Sequence, residues 1–183
     1  MQDQSKTAEP AGVREPAAKV EAAPKGKWSL LEAITKRGKL WQLSPNPDLK
    51  GMRGRLAIKF PEGTSTNARV VRVYEPGAQK VDIQDAWGKP MELLGGEYDI
   101  VLNGARVAKV SIKKGNDTRL LVGAVRLNAK FGTRVVILDE NKKQVFATAT
   151  GPTVVALPVG KYFGGIGKKT VELDVRDGQI TDF

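Results

Sequence analysis

Ten Lys and Arg residues fall within residues 101–150 against three Asp and Glu, a local charge of +7 in a chain whose total is +10. They are Arg106, Lys109, Lys113, Lys114, Arg119, Arg126, Lys130, Arg134, Lys142 and Lys143. On one shared face they would hold a polyanion: an acidic glycan, an anionic lipid headgroup or a nucleic acid. Nucleic acid is the least favoured of these, because stacking on bases needs aromatics among the cations and only Phe131 and Phe146 lie in this span. The plainer reading, which is preferred, is solvated Lys and Arg on edge strands, where they discourage edge pairing.

A second grouping is acidic. Asp82, Asp85, Glu92, Glu97 and Asp99 crowd around Trp87. Carboxylates beside an exposed indole could bind a sugar or calcium, and Trp87, Asp85 and Glu97 are the candidate glycan contacts. The D-x-x-D spacing lacks the Gly scaffold of an EF-hand loop, so no metal is expected. A core or lid role for Trp87 is favoured over a binding one. Paired carboxylates also hydrolyse glycosides, but a small sandwich has little room for a cleft.

Other chemistries are closed. The chain has no Cys and no His, so it offers no thiolate nucleophile, imidazole base, catalytic triad or His/Cys zinc site. Gly164-Gly165-Ile166-Gly167-Lys168-Lys169-Thr170 has the flavour of a phosphate loop. The Walker spacing is not met, however, and a strand follows it, so a hairpin loop is expected. A non-enzymatic protein without cofactor is predicted.

These residues need a scaffold, and the chain falls into parts. Residues 1–27 are rich in Ala, Pro, Lys and Glu and read as a disordered tail. Residues 28–53 read as a short helix and loop. Ser29-Leu30-Leu31-Glu32 has the capping-box form, and Gly38 after Lys36 and Arg37 is a C-cap, giving a helix over 29–37. From residue 55 onward, short Val/Ile/Leu/Thr runs alternate with turn signals every roughly 8–12 residues, the rhythm of an all-β sandwich. Asn103-Gly104 is the strongest hairpin signal.

The later chain is duplicated. Arg55–Phe60 matches Arg126–Phe131, Arg69-Val70-Val71 matches Arg134-Val135-Val136, and Leu93–Tyr98 matches Leu157–Tyr162. Gly115 matches Gly178, and the matches keep their order. Pro61–Asn67 reads as an insertion relative to Gly132-Thr133. Two tandem Greek-key β-sandwich units are predicted, 54–122 and 123–183, joined rigidly because Thr118–Ala129 carries little turn signal. In the shared L-x-x-G-x-Y motif, Leu93 and Leu157 point inward. Gly96 and Gly160 supply a turn or a close approach, and Tyr98 and Tyr162 bury a ring whose hydroxyl reaches backbone, as in a tyrosine corner.

With this motif the chain resembles the small transthyretin-like β-sandwich repeats: carboxypeptidase-regulatory-like, Cna-B-type and PEGA. Glu75-Pro76-Gly77-Ala78 is similar to the Pro-x-Gly-Ala turn of PEGA repeats. The resemblance covers about 55–183. It implies a non-catalytic module of an envelope, secreted or surface protein that contacts protein or glycan. Cna-B domains often carry a Lys–Asn isopeptide bond. None is expected here, because Thr118–Val122 and Gln179–Asp182 lack Asn. After Tyr162 the second unit departs from the pattern, and Phe163–Gly167 reads as a weakened strand or loop. No transmembrane run is present and no signal peptide is visible. The expected location is nonetheless extracytoplasmic, with Met1 a start residue placed on a mature N-terminus; otherwise it is cytoplasmic.

Overall fold

The computed structural model describes residues 29–30, 40–78, 83–85 and 88–183. The tail 1–27, most of the expected helix, and Asp82 and Trp87 lie outside them. The structure is all-β. Its strands are β1 (Ser29–Leu30), β2 (Trp41–Pro45), β3 (Arg53–Ile58), β4 (Val71–Tyr74), β5 (Ile83–Asp85), β6 (Met91–Leu94), β7 (Gly96–Leu102) and β8 (Ala105–Ile112). There follow β9 (Asn116–Leu120), β10 (Val122–Leu127), β11 (Val135–Leu138), β12 (Gln144–Thr148), β13 (Thr153–Pro158), β14 (Gly160–Ile166), β15 (Lys169–Val175) and β16 (Ile180–Asp182).

Among the described residues four sheets form, in the orders β1-β8-β7-β4-β5, β2-β9-β3-β6, β13-β10-β16 and β12-β11-β14-β15. The topology repeats. β3 lies antiparallel to β6 and parallel to β9, just as β10 lies antiparallel to β13 and parallel to β16. The order β5-β4-β7-β8 likewise recurs as β12-β11-β14-β15. Strand pairing fixes the equivalences. Gly54 faces Leu93 as Gly123 faces Leu157, an offset of 69 (123 − 54). Val71 faces Leu102 as Val135 faces Ile166, an offset of 64 (135 − 71). Two sequence matches therefore slip: Arg55 corresponds to Ala124, not Arg126, and Val71 to Val135, not Val136. Outward-facing Arg sets no register; the buried face does.

Gly54 and Gly123 are a repeated feature with a steric cause. A Cβ on Gly54 would sit 2.4 Å from the Lys113 carbonyl oxygen, and one on Gly123 would sit 2.2 Å from that of Arg176. Each thus lets the connection between the last two strands of its unit, which passes from one sheet to the other, cross close over the first strand.

The expected helix does not begin at Ser29. Ser29 and Leu30 pair in parallel with Ala105 and Arg106, so the exposed edge of β8 outweighs the capping-box signal. Trp41–Pro45 is a strand on β9, where a loop was expected from residue 44. The weakened strand expected at Phe163–Gly167 is also corrected. β14 runs from Gly160 to Ile166 and is paired on both sides. Its glycines admit neighbours, since a Cβ on Gly164 would meet the Phe183 ring at 2.7 Å and one on Gly165 would meet Val136 Cγ2 at 2.9 Å.

Alternation builds the core. In β3, Gly54, Leu56 and Ile58 are buried while Arg53 is exposed. Leu56, Val71, Ile100, Leu120, Val125, Ile137, Leu157 and Tyr162 belong to one hydrophobic cluster that runs through both sandwiches. Each fully buried aliphatic side chain contributes about 1.5–3 kcal/mol.

Candidate functional site

The tandem is interlocked. Val154 and Ala156 lie on edge strand β13. Ser65 donates its N–H to the Val154 carbonyl (3.0 Å) and accepts the Val154 N–H on Oγ (3.1 Å). Asn103 Nδ2 donates to the Ala156 carbonyl at 2.7 Å. Asn103 and Gly104 form the β7–β8 turn with φ of 48° and 86°, and a Cβ on Gly104 would lie 2.1 Å from the Val145 carbonyl oxygen. The first sandwich thus covers the open β12/β13 edge of the second, one of the ways proteins blunt an edge. The loop before β4 (59–70) is five residues longer than its counterpart (128–134), and Ser65 sits in that excess. On the other side Arg119 forms an ion pair with Asp177, and Asp177 Oδ1 accepts the Val122 N–H at 3.2 Å.

The cations do not converge. Arg106 is buried and bound to Asp99, Arg119 to Asp177 and Arg126 to Asp182. Lys109 is exposed at a β-bulge in β8, with φ of 55°. Lys113 and Lys114 sit in the β8–β9 turn, at the opposite end of an eight-residue strand from the Asn103 turn, about 27 Å away. Lys130 and Arg134 flank one end of β11, and Lys142 and Lys143 lie in the turn at its other end. These cations therefore fall into separate small groups and give the polyanion reading no single face. Short strands with turns at both ends scatter residues that are close in sequence.

The glycan trio is not assembled by the described residues either. Val71 lies opposite both Asp85 and Leu102, so Asp85 is level with the far end of β7. Glu97 is five residues back along β7, about 17 Å away along the strand direction. Among the described residues, no group of three acidic side chains could hold a metal, and no helix is long and apolar enough to cross a membrane.

Asp99 has a different role from a sugar contact. Burial pushes its carboxyl up. The Arg106 guanidinium, the Gly77 N–H (3.1 Å) and the Lys109 N–H (2.8 Å) outweigh that and hold it below the usual carboxylate range. The carboxylate thereby ties the 75–78 turn to the β8 bulge, and Arg106 lies 5.8 Å from the centre of the Tyr74 ring. Sequence reading found both residues but put them in separate groups. The signal was their placement on adjacent strands of one hairpin.

Asp117 is also held low, chiefly by bidentate Arg55 bonds at 2.8 Å, against some burial and with help from Asn46. The tyrosine hydroxyls donate four residues back: Tyr98 to the Leu94 carbonyl (3.1 Å) and Tyr162 to that of Pro158 (3.0 Å). Burial, then the charges of Asp139 and Glu140, push the Tyr162 hydroxyl far up. Leu93 and Leu157 are buried. Gly96 has neither positive φ nor a crowded Cβ position; its nearest neighbour is a Tyr98 ring carbon at 3.7 Å. Gly160 opens β14, facing Val175. The strand argument against an isopeptide bond also needs correction, because β9 begins at Asn116, whose amide donates to the Lys114 carbonyl at 2.8 Å. Gly167 and Lys168 form a two-residue hairpin turn between β14 and β15.

One feature was missed entirely. Met52 and Leu94 are 66% and 61% exposed at one end of the first sandwich. Arg53 pairs with Leu94, and Gly95 donates to the Met52 carbonyl at 2.9 Å, where a Cβ on Gly95 would lie 3.7 Å from the Lys114 nitrogen. Two apolar side chains thus sit among Lys50, Arg53, Lys113 and Lys114, all exposed.

No family model matches the chain, and no curated protein matches it. Two solved chains match, one titled the Bacillus anthracis TIE protein. It is 17% identical, with 72% of this chain and 33% of that chain covered at a TM-score of 0.31. This chain spans about a third of that protein's length, and a likeness at this score carries no inference for fold or function.

Proposed function

We propose that this chain is a non-catalytic structural and binding module of a cell-envelope or secreted protein, holding protein or glycan contacts at a fixed spacing. The observation that supports it is the seam. Ser65 and Asn103 of the first sandwich bond the β13 edge of the second, and one core cluster spans both. A stiff tandem suits a spacer or platform better than two beads on a string. The resemblance to transthyretin-like repeats points the same way. The test is protease accessibility of the native gene product on intact cells, with purified envelope glycan then co-sedimented with the isolated module. Recovery only inside the cytoplasm, or no retention on glycan or any surface protein, would refute the proposal.

A second reading is an anionic-lipid contact. Exposed Met52 and Leu94, with Arg53 opposite Leu94 and Lys50, Lys113 and Lys114 exposed at the same end beside Glu92 and Glu97, suit shallow insertion with headgroup pairing. Vesicles with phosphatidylserine should retain the chain and plain phosphatidylcholine should not. Leu94→Glu should abolish retention; equal retention by both vesicles ends this reading.

A further inference from the structure

The two sandwiches differ at one edge. In the first, β8 is covered by β1, and Val107 on β8 is 1% exposed. In the second, β15 takes the place of β8 and ends its sheet. Ile100 faces Val107 as Gly164 faces Val171, so Val171 is the counterpart of Val107. It is 51% exposed. Val107 packs into the hydrophobic core, while Val171, opposite the side-chain-less Gly164, is half exposed on an edge that no described strand covers. β15 is also a ready template. It pairs with β14 over seven residues without a register shift, whereas β8 carries a bulge. It has no Pro. A regular, unbulged edge is the kind that accepts another strand.

We propose that a second copy of this chain docks here, its β15 antiparallel to the first about a two-fold axis through Val171. Charge selects the register. Ile166 and Lys169 flank a two-residue hairpin turn and pair with each other, so the backbone groups of Thr170 and Glu172 point to the open side, whereas the Asp174 carbonyl already accepts the Thr181 hydroxyl at 2.9 Å. Only registers centred on a residue keep the apolar face aligned. Centring on Glu172 sets Glu172 against itself, and centring on Leu173 sets Glu172 against Asp174; both oppose like charges. Centring on Thr170 sets Lys168 against Glu172 but places Lys169 against Val171, which leaves the exposed valine without an apolar partner. Centring on Val171 sets Val171 against Val171, Thr170 against Glu172 and Lys168 against Asp174. It covers the exposed valine and by symmetry brings two Lys168 ammonium groups to Asp174 carboxylates that each also bind Arg176 at 3.0 Å. Such a closed pair is the commonest form of homo-oligomer.

The chain contains no Cys, so a single introduced thiol reports the geometry. Residues directly opposite in a non-hydrogen-bonded antiparallel pair have Cα atoms about 4.5 Å apart, within disulfide reach. Under mild oxidant Val171→Cys should form a covalent dimer, while Thr170→Cys, two positions out of register with its copy, should not. Sedimentation of the unmutated chain should give the mass of two chains. Lys168→Glu should weaken the dimer about tenfold through two like-charge contacts, and Lys168→Glu with Asp174→Lys should restore it. A single-chain mass at millimolar concentration overturns the proposal. So does Val171→Cys cross-linking no faster than Thr170→Cys.

Discussion

Replacing Arg106 by Met would expose what the Asp99 pair does. Asp99 is 4% exposed and Arg106 8%, and the carboxylate also accepts the Gly77 and Lys109 N–H groups. Removing one partner of a buried pair costs about 3–5 kcal/mol because the other charge is left unpaired. Two backbone donors remain on Asp99, so the lower end applies, about 3 kcal/mol. With a urea slope of about 2 kcal/mol/M, the unfolding midpoint should fall by about 1.5 M. Asp99→Asn removes the charge but keeps an acceptor. In that background Arg106→Met should cost about 2 kcal/mol less than it does alone. The pH dependence has a definite sign. The Asp99 carboxyl is held low in the folded state, so its contribution is present above the unfolded value of about 3.9 and is lost as pH falls through the folded value. The gap between wild type and Arg106→Met should therefore be level from neutral pH to about 5 and close in stronger acid. Urea titrations of the four proteins at several pH values decide it. If the two substitutions add within about 0.5 kcal/mol, or the gap does not narrow in acid, the buried-pair reasoning is wrong.

Other perturbations test the repeated framework. Tyr162→Phe strands the buried Pro158 carbonyl and should cost about 1–3 kcal/mol, whereas Tyr98→Phe, whose bond is exposed, should cost less; thermal melts compare them. The Tyr162 hydroxyl is held far above its ordinary value, so ultraviolet titration should show it ionising only as the protein unfolds in alkali. Gly123→Ala would drive a Cβ to 2.2 Å from the Arg176 carbonyl oxygen and should cost about 3 kcal/mol. Gly132→Ala, with φ of 83° but open space, should cost about 1–2 kcal/mol, and equal losses in urea would count against the crossing role of Gly123. Calorimetry should show one unfolding transition for the tandem, since its core and edge bonds cross the seam. Asn103→Ala should lower or split that transition, and two separate transitions in the unaltered chain would contradict the interlock.

The sequence by itself determined the class of structure and much of its punctuation. Period-two burial in runs such as Arg53–Ile58 is local chemistry, and Asn103-Gly104 forms its turn because both residues tolerate positive φ. The L-x-x-G-x-Y spacing placed both tyrosine hydroxyls within reach of a carbonyl four residues back. What depends on partners distant in sequence was decided only in three dimensions. Ser29 and Leu30 carry a helix-start signal, yet the bare edge of β8 takes them as a strand. Gly164 and Gly165 look like loop residues until Phe183 and Val136 are seen occupying the space their side chains would fill. Arg106 and Lys143 look alike in a list of cations, but one is buried against Asp99 and the other is exposed in a turn. Charge along a chain counts residues, and only packing decides which of them are already paired. The same holds for Val107 and Val171, equivalent by register, one sealed in the core and the other half exposed, because what packs over a side chain is a property of the fold and not of the residue.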